Sequence, residues 1–197
     1  NTIKNSAFVF LLTTLVSFFS TEVFSEPIEE IVVKGSWRQT SAVQEDSSVI
    51  FLSADAIKAQ SMKHFEQLSF LVPNLNFAAS DSRARYFQIR GIGERSGYQG
   101  TPNSSVGFLI DDIDYSGQGG IATTFDVDQI EIYRGPQGSR IGANALAGLI
   151  YIQTKDPTDA FEGTSEVTIG SYGTKSAGVA FGGPLDQNPD ITYRIAL

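Results

Sequence analysis

Glycine-rich turns are the first places in this chain where chemistry could occur, because the backbone N–H groups of such turns can bind phosphate. One candidate is GPQGSRIG at residues 135–142, and another begins with GIG at residues 91–93. The first lacks the Lys-Ser/Thr end of a phosphate-binding P-loop. In the second, Ser96 stands where a dinucleotide-binding motif needs its third glycine. The sequence therefore does not predict a nucleotide site, and it predicts a type I turn at residues 135–138 with proline second and glycine fourth.

Side chains that could bind metals or transfer protons are few. Asp111, Asp112 and Asp114 form an acidic cluster, but it lacks the alternating ligands and the distant glutamate of a calcium loop, so we interpret it as a solvated strand end. His64 is the only histidine, is expected to be exposed in the first turn of a helix, and has no recognisable nucleophile beside it. There is no cysteine. The sequence thus predicts no catalytic residue, no metal site, no cofactor and no enzyme.

The charge balance argues against another class of partner. The chain has 197 residues, with 14 Lys and Arg against 22 Asp and Glu, and a formal net charge of −8. A nucleic-acid partner would require a basic face, so none is expected. The length suffices for one domain of ordinary size and part of another.

The first 25 residues are typical of a secretory signal peptide. Lys4 precedes an apolar run at residues 7–19, which is shorter than the roughly 20 residues of a spanning helix. Val23 and Ser25 then occupy the −3 and −1 positions of a cleavage site. The alternative is an anchor that is not cleaved. Export is expected in either case.

Behind this leader, residues 26–48 change from an acidic, β-branched run to a polar linker at residues 37–48. Residues 49–157 are predicted to form a small α+β domain. Short strand-like runs bounded by Gly, Pro, Asp or Asn lie at residues 49–52, 86–90, 106–111, 129–134 and 149–154.

Two helices are predicted between the first two of these strands. Ser53 can cap the first helix, with Asp55 near its positive N-terminus. The second begins at Ser61 and ends at Pro73, and its apolar residues follow the three-and-four spacing of one buried face. The loop at residues 91–105 is long for a casual connection, which indicates a functional loop.

From residue 158 onward the pattern changes to alternation. Residues 166–171, 175–183 and 191–197 each alternate polar and apolar side chains, with polar turns between them. Segments of about ten residues with this pattern are typical of strands in outer-membrane β-barrels.

In this order the motifs resemble the plug domain of TonB-dependent outer-membrane receptors. The specific parts are FQIRGIG at residues 87–93, IEIYRGPQG at residues 130–138 and LIYIQTKDP at residues 149–157, and the resemblance covers nearly all of the chain after the leader. Asn74 departs from the family's usual glycine, and Tyr151 departs from a frequent asparagine. The family's barrel has about 22 strands, of which only the first two or three would be present, so the resemblance implies a truncated receptor.

The resemblance implies a role for each of four segments of the chain. Residues 1–25 would be the signal peptide, residues 26–48 the TonB box and linker, residues 49–157 a small mixed-sheet plug with short helices and long loops, and residues 158–197 the first antiparallel strands of a transmembrane β-barrel. The TonB box would consist of Glu30, Ile31, Val32 and Val33 and would bind the inner-membrane protein TonB by strand addition.

Further roles are implied in the same way. Contacts between the plug and its barrel, most of which lies outside this chain, would involve Arg90, Glu131 and Arg134. For the two arginines the alternative is that they cap strand ends. The long loop would offer ligand contacts from Arg95, Tyr98, Gln99 and Asn103.

Two functions stay open at this stage. The first is energised uptake across the outer membrane of a scarce nutrient, most often an iron–siderophore complex or another metal chelate in this family, with the plug and N-terminus facing the periplasm. The second is a periplasmic binding or signalling module with a plug-like domain and no complete barrel. The residues do not identify the ligand.

Overall fold

The computed structural model describes residues 32–33, 40–41, 48–60, 62–79, 83–96, 103–118, 122–185 and 188–197. The strands in chain order are β1 Val32–Val33, β2 Thr40–Ser41, β3 Val49–Ser53, β4 Leu75–Ala79, β5 Ala84–Ile89, β6 Val106–Ile110, β7 Ile113–Asp114, β8 Val127–Tyr133, β9 Gly148–Thr154, β10 Glu162–Ile169, β11 Lys175–Leu185 and β12 Asn188–Ala196. The helices are α1 Ala54–Ala59, α2 Gly138–Ile141 and 3₁₀ helices at Phe65–Phe70 and Ser171–Gly173. None of the helices in these ranges has the length and apolarity to cross a membrane.

The central element is a five-stranded mixed sheet with the order β3-β8-β9-β6-β7. The strands β6 and β9 are parallel, and the other pairs are antiparallel. A separate hairpin is formed by β4 and β5. The predicted α+β class with a mixed sheet and short helices is confirmed. All five strand-like runs of the first domain form strands close to their predicted bounds.

One face of this sheet carries the main core. Ile130 and Ile132 on β8 are fully buried there. Phe65, Phe87 and Phe108 pack against each other with ring centroids 5.0–5.5 Å apart, two pairs edge-to-face and one stacked. Each such pair contributes about 0.5–1.5 kcal/mol beyond the burial of its area. The aromatic cluster joins the 3₁₀ helix, the β4-β5 hairpin and the sheet into one core.

The first helix starts as predicted, but the second does not. The Ser53 hydroxyl accepts a hydrogen bond from the Ala56 N–H at 3.3 Å. The second helix is a 3₁₀ turn that starts at Phe65, and His64 before it is extended. His64 is held in a β-bridge with Thr123, so a tertiary contact replaces the first predicted turn of helix.

Three further elements differ from the predictions. The strand β4 was not predicted, because Asn76 and the alanines of LNFAA have low strand propensity, and it forms through pairing with β5. A short α2 begins after Gln137, where only a turn was expected. Within the predicted linker, Thr40–Ser41 pairs with Val32–Val33 as two antiparallel strands.

The acidic cluster is a strand end, as interpreted. Asp111 and Asp112 form the turn after β6 in left-handed backbone conformation, with φ of 47° and 68°. The Asp111 carboxylate accepts hydrogen bonds from the backbone N–H and the hydroxyl of Thr154, at 2.9 and 2.7 Å. These bonds close the end of β9 against β6.

The last three strands form an antiparallel meander, β10-β11-β12. Its outward row is apolar and exposed, with Val167 at 75% and Ile169 at 80% of full exposure. The opposite row contains Glu166, small residues of β11 and Arg194, and it faces the rest of the domain. The three alternating segments predicted after residue 158 are therefore strands, as expected.

Candidate functional site

The first candidate site is the contact surface between the meander β10-β11-β12 and the mixed-sheet domain, which we call the seam. Arg194 on β12 donates two hydrogen bonds to the Asp126 carboxylate, from Nε at 2.7 Å and from Nη2 at 2.5 Å. Their side chains are only 9% and 5% exposed. Because removal of one partner leaves a buried charge unpaired, such a loss costs about 3–5 kcal/mol. The contact between the two parts of the chain is therefore sensitive to the loss of either partner.

The backbone of Asp126 is fixed from both sides. Its φ of 59° is left-handed, a conformation that aspartate tolerates better than most residues. The Asp126 carbonyl accepts a hydrogen bond from the Lys155 N–H at 3.0 Å, just beyond the end of β9. Residues 122–127 thus connect the start of β8, the exit of β9 and the meander.

Next to this ion pair, an aromatic ring lies on a glycine. A Cβ added to Gly178 of β11 would come within 3.0–3.1 Å of three ring atoms of Phe125. Ala180, two residues further along the same row of β11, is fully buried. The inner row of β11 therefore carries small residues where the ring of Phe125 packs.

A second ion pair crosses the seam between Lys63 and Glu166 of β10. It is more exposed than the first, with side chains 34% and 41% accessible. Exposed pairs of this kind contribute about 0–1 kcal/mol. The lining of a cavity of about 500 Å³ includes residues of both pairs as well as Met62, His64, Phe125 and Gly178. The Asp126 ion pair is therefore buried in the seam, whereas the Lys63 ion pair is partly accessible to solvent.

His64 borders this cavity and is partly buried, which corrects the prediction that it is exposed. Its Nδ1 is buried without a hydrogen-bond partner among the described residues. Burial lowers the pKa of His64 below its usual value near 6.5, and the charge of Arg83 lowers it further, while Glu66 opposes the shift. The imidazole is therefore favoured in its neutral form.

Two of the three predicted contact residues lie at β8 of the mixed sheet, one on the strand and one just after its end. Glu131 is fully buried on β8, and its carboxylate accepts hydrogen bonds from Tyr133 Oη at 2.7 Å and Gln129 Nε2 at 2.5 Å. Arg134 follows the end of the same strand, where its Nη2 donates to Ser48 Oγ at 2.8 Å. The Nε of Arg134 is buried and has no hydrogen-bond partner in the described ranges.

Arg90 lies apart from that group in sequence and structure. It follows the end of β5 with a left-handed φ of 54° and is exposed. Its N–H donates to the Asn74 carbonyl at 2.9 Å and closes the β4-β5 hairpin. Both arginines occupy strand ends, so this geometry agrees with the strand-capping alternative as well as with a role at a barrel wall.

The predicted ligand loop is described at its base. Arg95 and Asn103 are exposed, whereas Tyr98 and Gln99 lie outside the described residues. The Glu94 carboxylate accepts hydrogen bonds from the Ser105 N–H at 2.9 Å and the Ser105 hydroxyl at 2.6 Å. These bonds bring the two described ends of the loop together.

A family comparison shows to which proteins this architecture belongs. The sequence model described as "TonB-dependent Receptor Plug Domain" matches residues 41–149, more than half of the chain. The chain belongs to this plug-domain family. The resemblance inferred from the motifs is therefore confirmed, and the mixed-sheet domain is the plug. This family is one of transport receptors.

Individual relatives agree with the assignment. The pesticin receptor of Yersinia enterocolitica is 26% identical over 178 residues, which are 90% of this chain and 26% of that protein. The ferric enterobactin receptor PirA of Pseudomonas aeruginosa is 26% identical over 70% of this chain and 21% of its own length. The chain thus spans about a quarter of the length of these curated relatives.

A solved structure shows the same fold. The ferric yersiniabactin uptake receptor FyuA from Yersinia pestis has a TM-score of 0.61 and 26% identity, with 72% of this chain and 22% of that chain covered. Most of this chain is accordingly similar to one part of a larger receptor.

The predicted TonB box, which precedes the plug, is described only in part. Glu30 and Ile31 lie outside the described residues, and Val32–Val33 has the backbone pairing with Thr40–Ser41 reported above. A pair of two-residue strands is marginal in stability. The described half of the box is extended, as its β-branched residues favour.

The residues of the plug–meander seam were not predicted from the sequence. Arg194 could have been suspected, because a charged residue in an alternating strand segment points to the inner row of a barrel. No comparable signal indicates Asp126, Phe125 or Lys63, which are separated from their partners by more than 50 positions. Only the folded chain brings them together.

Proposed function

We propose that this chain is the N-terminal part of a TonB-dependent outer-membrane receptor that takes up a scarce ligand, an iron–siderophore complex in the first instance. The observation that carries this proposal is the direct passage from the plug into the meander. Its inner row packs on the plug, and its outward row is apolar and exposed. An apolar outward row suits lipid, and it disfavours the alternative of a periplasmic module without a complete barrel.

The ligand class is supported by what the relatives are named for. One is a receptor for ferric enterobactin and one an uptake receptor for ferric yersiniabactin, while a third is named for pesticin. Two of these three names specify an iron(III) complex. For this chain we therefore propose a ferric chelate as ligand, contacted by Arg95, Tyr98, Gln99 and Asn103 of the long loop.

The division of the chain follows from the proposed location. Residues 1–25 would direct export and be removed, and residues 26–48 would carry the TonB box and linker in the periplasm. Residues 49–157 would fill the barrel lumen as the plug. Residues 158–197 would begin the barrel wall in the outer membrane.

The transport mechanism follows from the physics of a plugged barrel. A closed barrel satisfies every backbone hydrogen bond in lipid, but a wide polar lumen would leak without a plug. TonB would bind Glu30–Val33 as an added strand and transmit inner-membrane energy to the plug. Exchange of the marginal β1-β2 pairing for a strand of TonB would cost little. No catalytic step is proposed for this chain.

Contacts of the plug with the remaining wall would use the predicted residues. The buried, unpaired Nε of Arg134 supports an additional acceptor there, and a wall carboxylate would satisfy it. Glu131 lies two strand positions before Tyr133, to which it is hydrogen-bonded, and would hold this end of β8 in place. Arg90 is exposed and available to a wall residue.

Energised uptake by the complete receptor tests the proposal. Proline at position 32 removes one backbone donor and fixes φ, so Val32→Pro should abolish uptake of a labelled ferric siderophore, while surface expression and ligand binding persist. Val32→Ala keeps the donor and serves as the matched control, with nearly parental uptake. Parental uptake by Val32→Pro would contradict the coupling role of residues 30–33.

The ligand class needs a separate assay. A strain that depends on the complete receptor should grow on ferric siderophores under iron limitation. If growth is rescued only by cobalamin or glycans, the receptor function stands and the iron–siderophore assignment is wrong.

A further inference from the structure

The seam between plug and meander has one strongly built part. Asp126 and Arg194 form a doubly hydrogen-bonded ion pair that is almost fully buried. The ring of Phe125 lies on Gly178 beside it. Together these residues join a turn of the plug to two successive strands of the meander.

This turn transmits its position to the centre of the plug sheet. Residues 122–127 lead directly into β8, the strand between β3 and β9. The hydrogen bond from the Lys155 N–H to the Asp126 carbonyl links the same turn to the exit of β9. A change in the position of Asp126 would therefore shift both central strands relative to the wall.

We propose that residues 122–127, together with the inner row of β11 and β12, form the docking surface that holds the plug on the barrel wall. The inference rests on the proposed function in one respect, since it takes β10–β12 as wall. Asp126, Arg194 and Phe125 are positioning residues of this surface. The exposed pair of Lys63 and Glu166 contributes little to docking.

The shape of β11 supports a docking role over a general role in stability. The inner row of β11 carries the small residues Gly178, Ala180 and Gly182, and Arg194 of β12 is paired with Gly182. A larger residue at position 178 would meet the ring of Phe125. The inner row is thus complementary to the plug turn in both shape and charge.

Two cysteine reporters separate undocking from unfolding, since the 197 residues contain no cysteine. Ala180 lies on the inner row of β11 and is fully buried, so Ala180→Cys should react with a maleimide only when the plug leaves this strand. Ala84 on β5 is buried in the plug core and lies outside the docking surface, so Ala84→Cys should react only when the plug unfolds. Both are introduced into the complete receptor, purified in detergent with any other cysteines replaced.

The expected result is selective exposure at the seam. Arg194→Gln should increase the labelling rate of Ala180→Cys at least tenfold and leave that of Ala84→Cys within twofold. Adding Asp126→Asn to Arg194→Gln should partly restore protection, because the unpaired buried carboxylate is removed. Lys63→Gln, at the exposed pair, is the matched control and should change neither rate more than twofold.

Other outcomes overturn the inference. Unchanged labelling of Ala180→Cys in Arg194→Gln would show that the pair does not hold the plug on β11. Equal increases at both reporters would show a general loss of stability in place of undocking. The assay needs neither TonB nor ligand, so a receptor that fails to take up ferric chelates can still confirm or refute the docking surface.

A measurement without reporters guards against variants that fold poorly. In calorimetry of the complete receptor, Arg194→Gln should separate an earlier plug transition from an unchanged barrel transition. A single transition shifted as a whole would contradict docking through this pair.

Discussion

The plug sheet and the meander both consist of β-strands with many apolar side chains, but these side chains are buried in the plug and exposed on the outward row of the meander. In the plug, Ile130 and Ile132 of β8 are fully buried, and the other face of the same strand buries Glu131 and Tyr133. In the meander, Val167 and Ile169 are 75% and 80% exposed. The plug supplies its own apolar environment, whereas the outward row of the meander requires one from outside, which lipid would provide in the proposed barrel.

The plug core should be far more sensitive to truncation than the outward row of the meander. Phe65→Ala removes the ring shared by two edge-to-face pairs and should cost about 3–5 kcal/mol in the free energy of unfolding. Urea unfolding of residues 26–160, which we expect to be soluble alone with mixed α and β circular dichroism, measures this loss.

The matched change in the meander is Val167→Ala in the complete receptor, for which we expect less than about 1 kcal/mol. If Phe65→Ala is as mild as Val167→Ala, the aromatic cluster is not the core of the plug.

Substitution of glycine by alanine should also affect the plug and the meander differently. In the plug, a Cβ added at Gly148 meets backbone atoms, whereas in the meander one added at Gly178 meets an aromatic side chain. A Cβ at Gly148 would lie 2.2 Å from the Tyr133 carbonyl oxygen, so Gly148→Ala should destabilise the plug by about 3 kcal/mol or more. At Gly178 the obstacle is the ring of Phe125 at 3.0 Å, which can shift by a few tenths of an ångström, so Gly178→Ala should cost less than about 1 kcal/mol.

Gly135 is the control for these substitutions, since nothing lies within 4 Å of its added Cβ. Gly135→Ala should stay within about 0.5 kcal/mol of the parent in the urea unfolding of residues 26–160, in which Gly148→Ala is also measured. Gly178→Ala is measured in the complete receptor. Equal costs at Gly135 and Gly148 would refute the steric argument.

A charge should distinguish the two rows of the meander. Val179→Arg places a guanidinium on the outward row and should cost about 2–4 kcal/mol at the bilayer midplane, falling towards 0–1 near an interface. Ser176→Arg lies on the inner row and should be tolerated. The folded fraction in lipid vesicles, measured by heat-modifiable electrophoretic mobility, compares them. A lower folded fraction for Ser176→Arg would invert the assignment of the rows.

The smallest effect concerns pH at the seam. The lowered pKa of His64 means that the unfolded plug binds the proton more readily than the folded plug. Stability from the neutral imidazole is therefore present above pH 6.5 and decreases as the pH falls from 6.5 towards the lower folded pKa. The His64→Gln plug should show a flatter dependence of urea midpoint on pH in this window. An identical slope in both proteins would show that His64 does not contribute.

Prediction from the sequence succeeded where the signal is local. The hydroxyl of Ser53 caps α1 because the cap depends on residues three positions apart. The alternation after residue 158 gave the meander because side chains of a strand alternate between its faces. The order of the FQIRGIG, IEIYRGPQG and LIYIQTKDP motifs identified the family, which the match over residues 41–149 confirms.

Prediction failed where distant residues determine the backbone. The helix expected from Ser61 starts at Phe65, because His64 is extended in a bridge with Thr123. The strand β4 forms from residues of low strand propensity because β5 provides its hydrogen bonds.

By itself, the sequence determined the family, the α+β class and the change from a self-contained core to alternating strands, because each depends on residue order or on short-range periodicity. Only the tertiary structure decided which residues meet at the seam. Asp126 and Arg194 are 68 positions apart, and nothing in the local sequence of either selects the other. Their pairing depends on the packing of the meander against the turn before β8, and such packing between distant segments is a property of the tertiary structure alone.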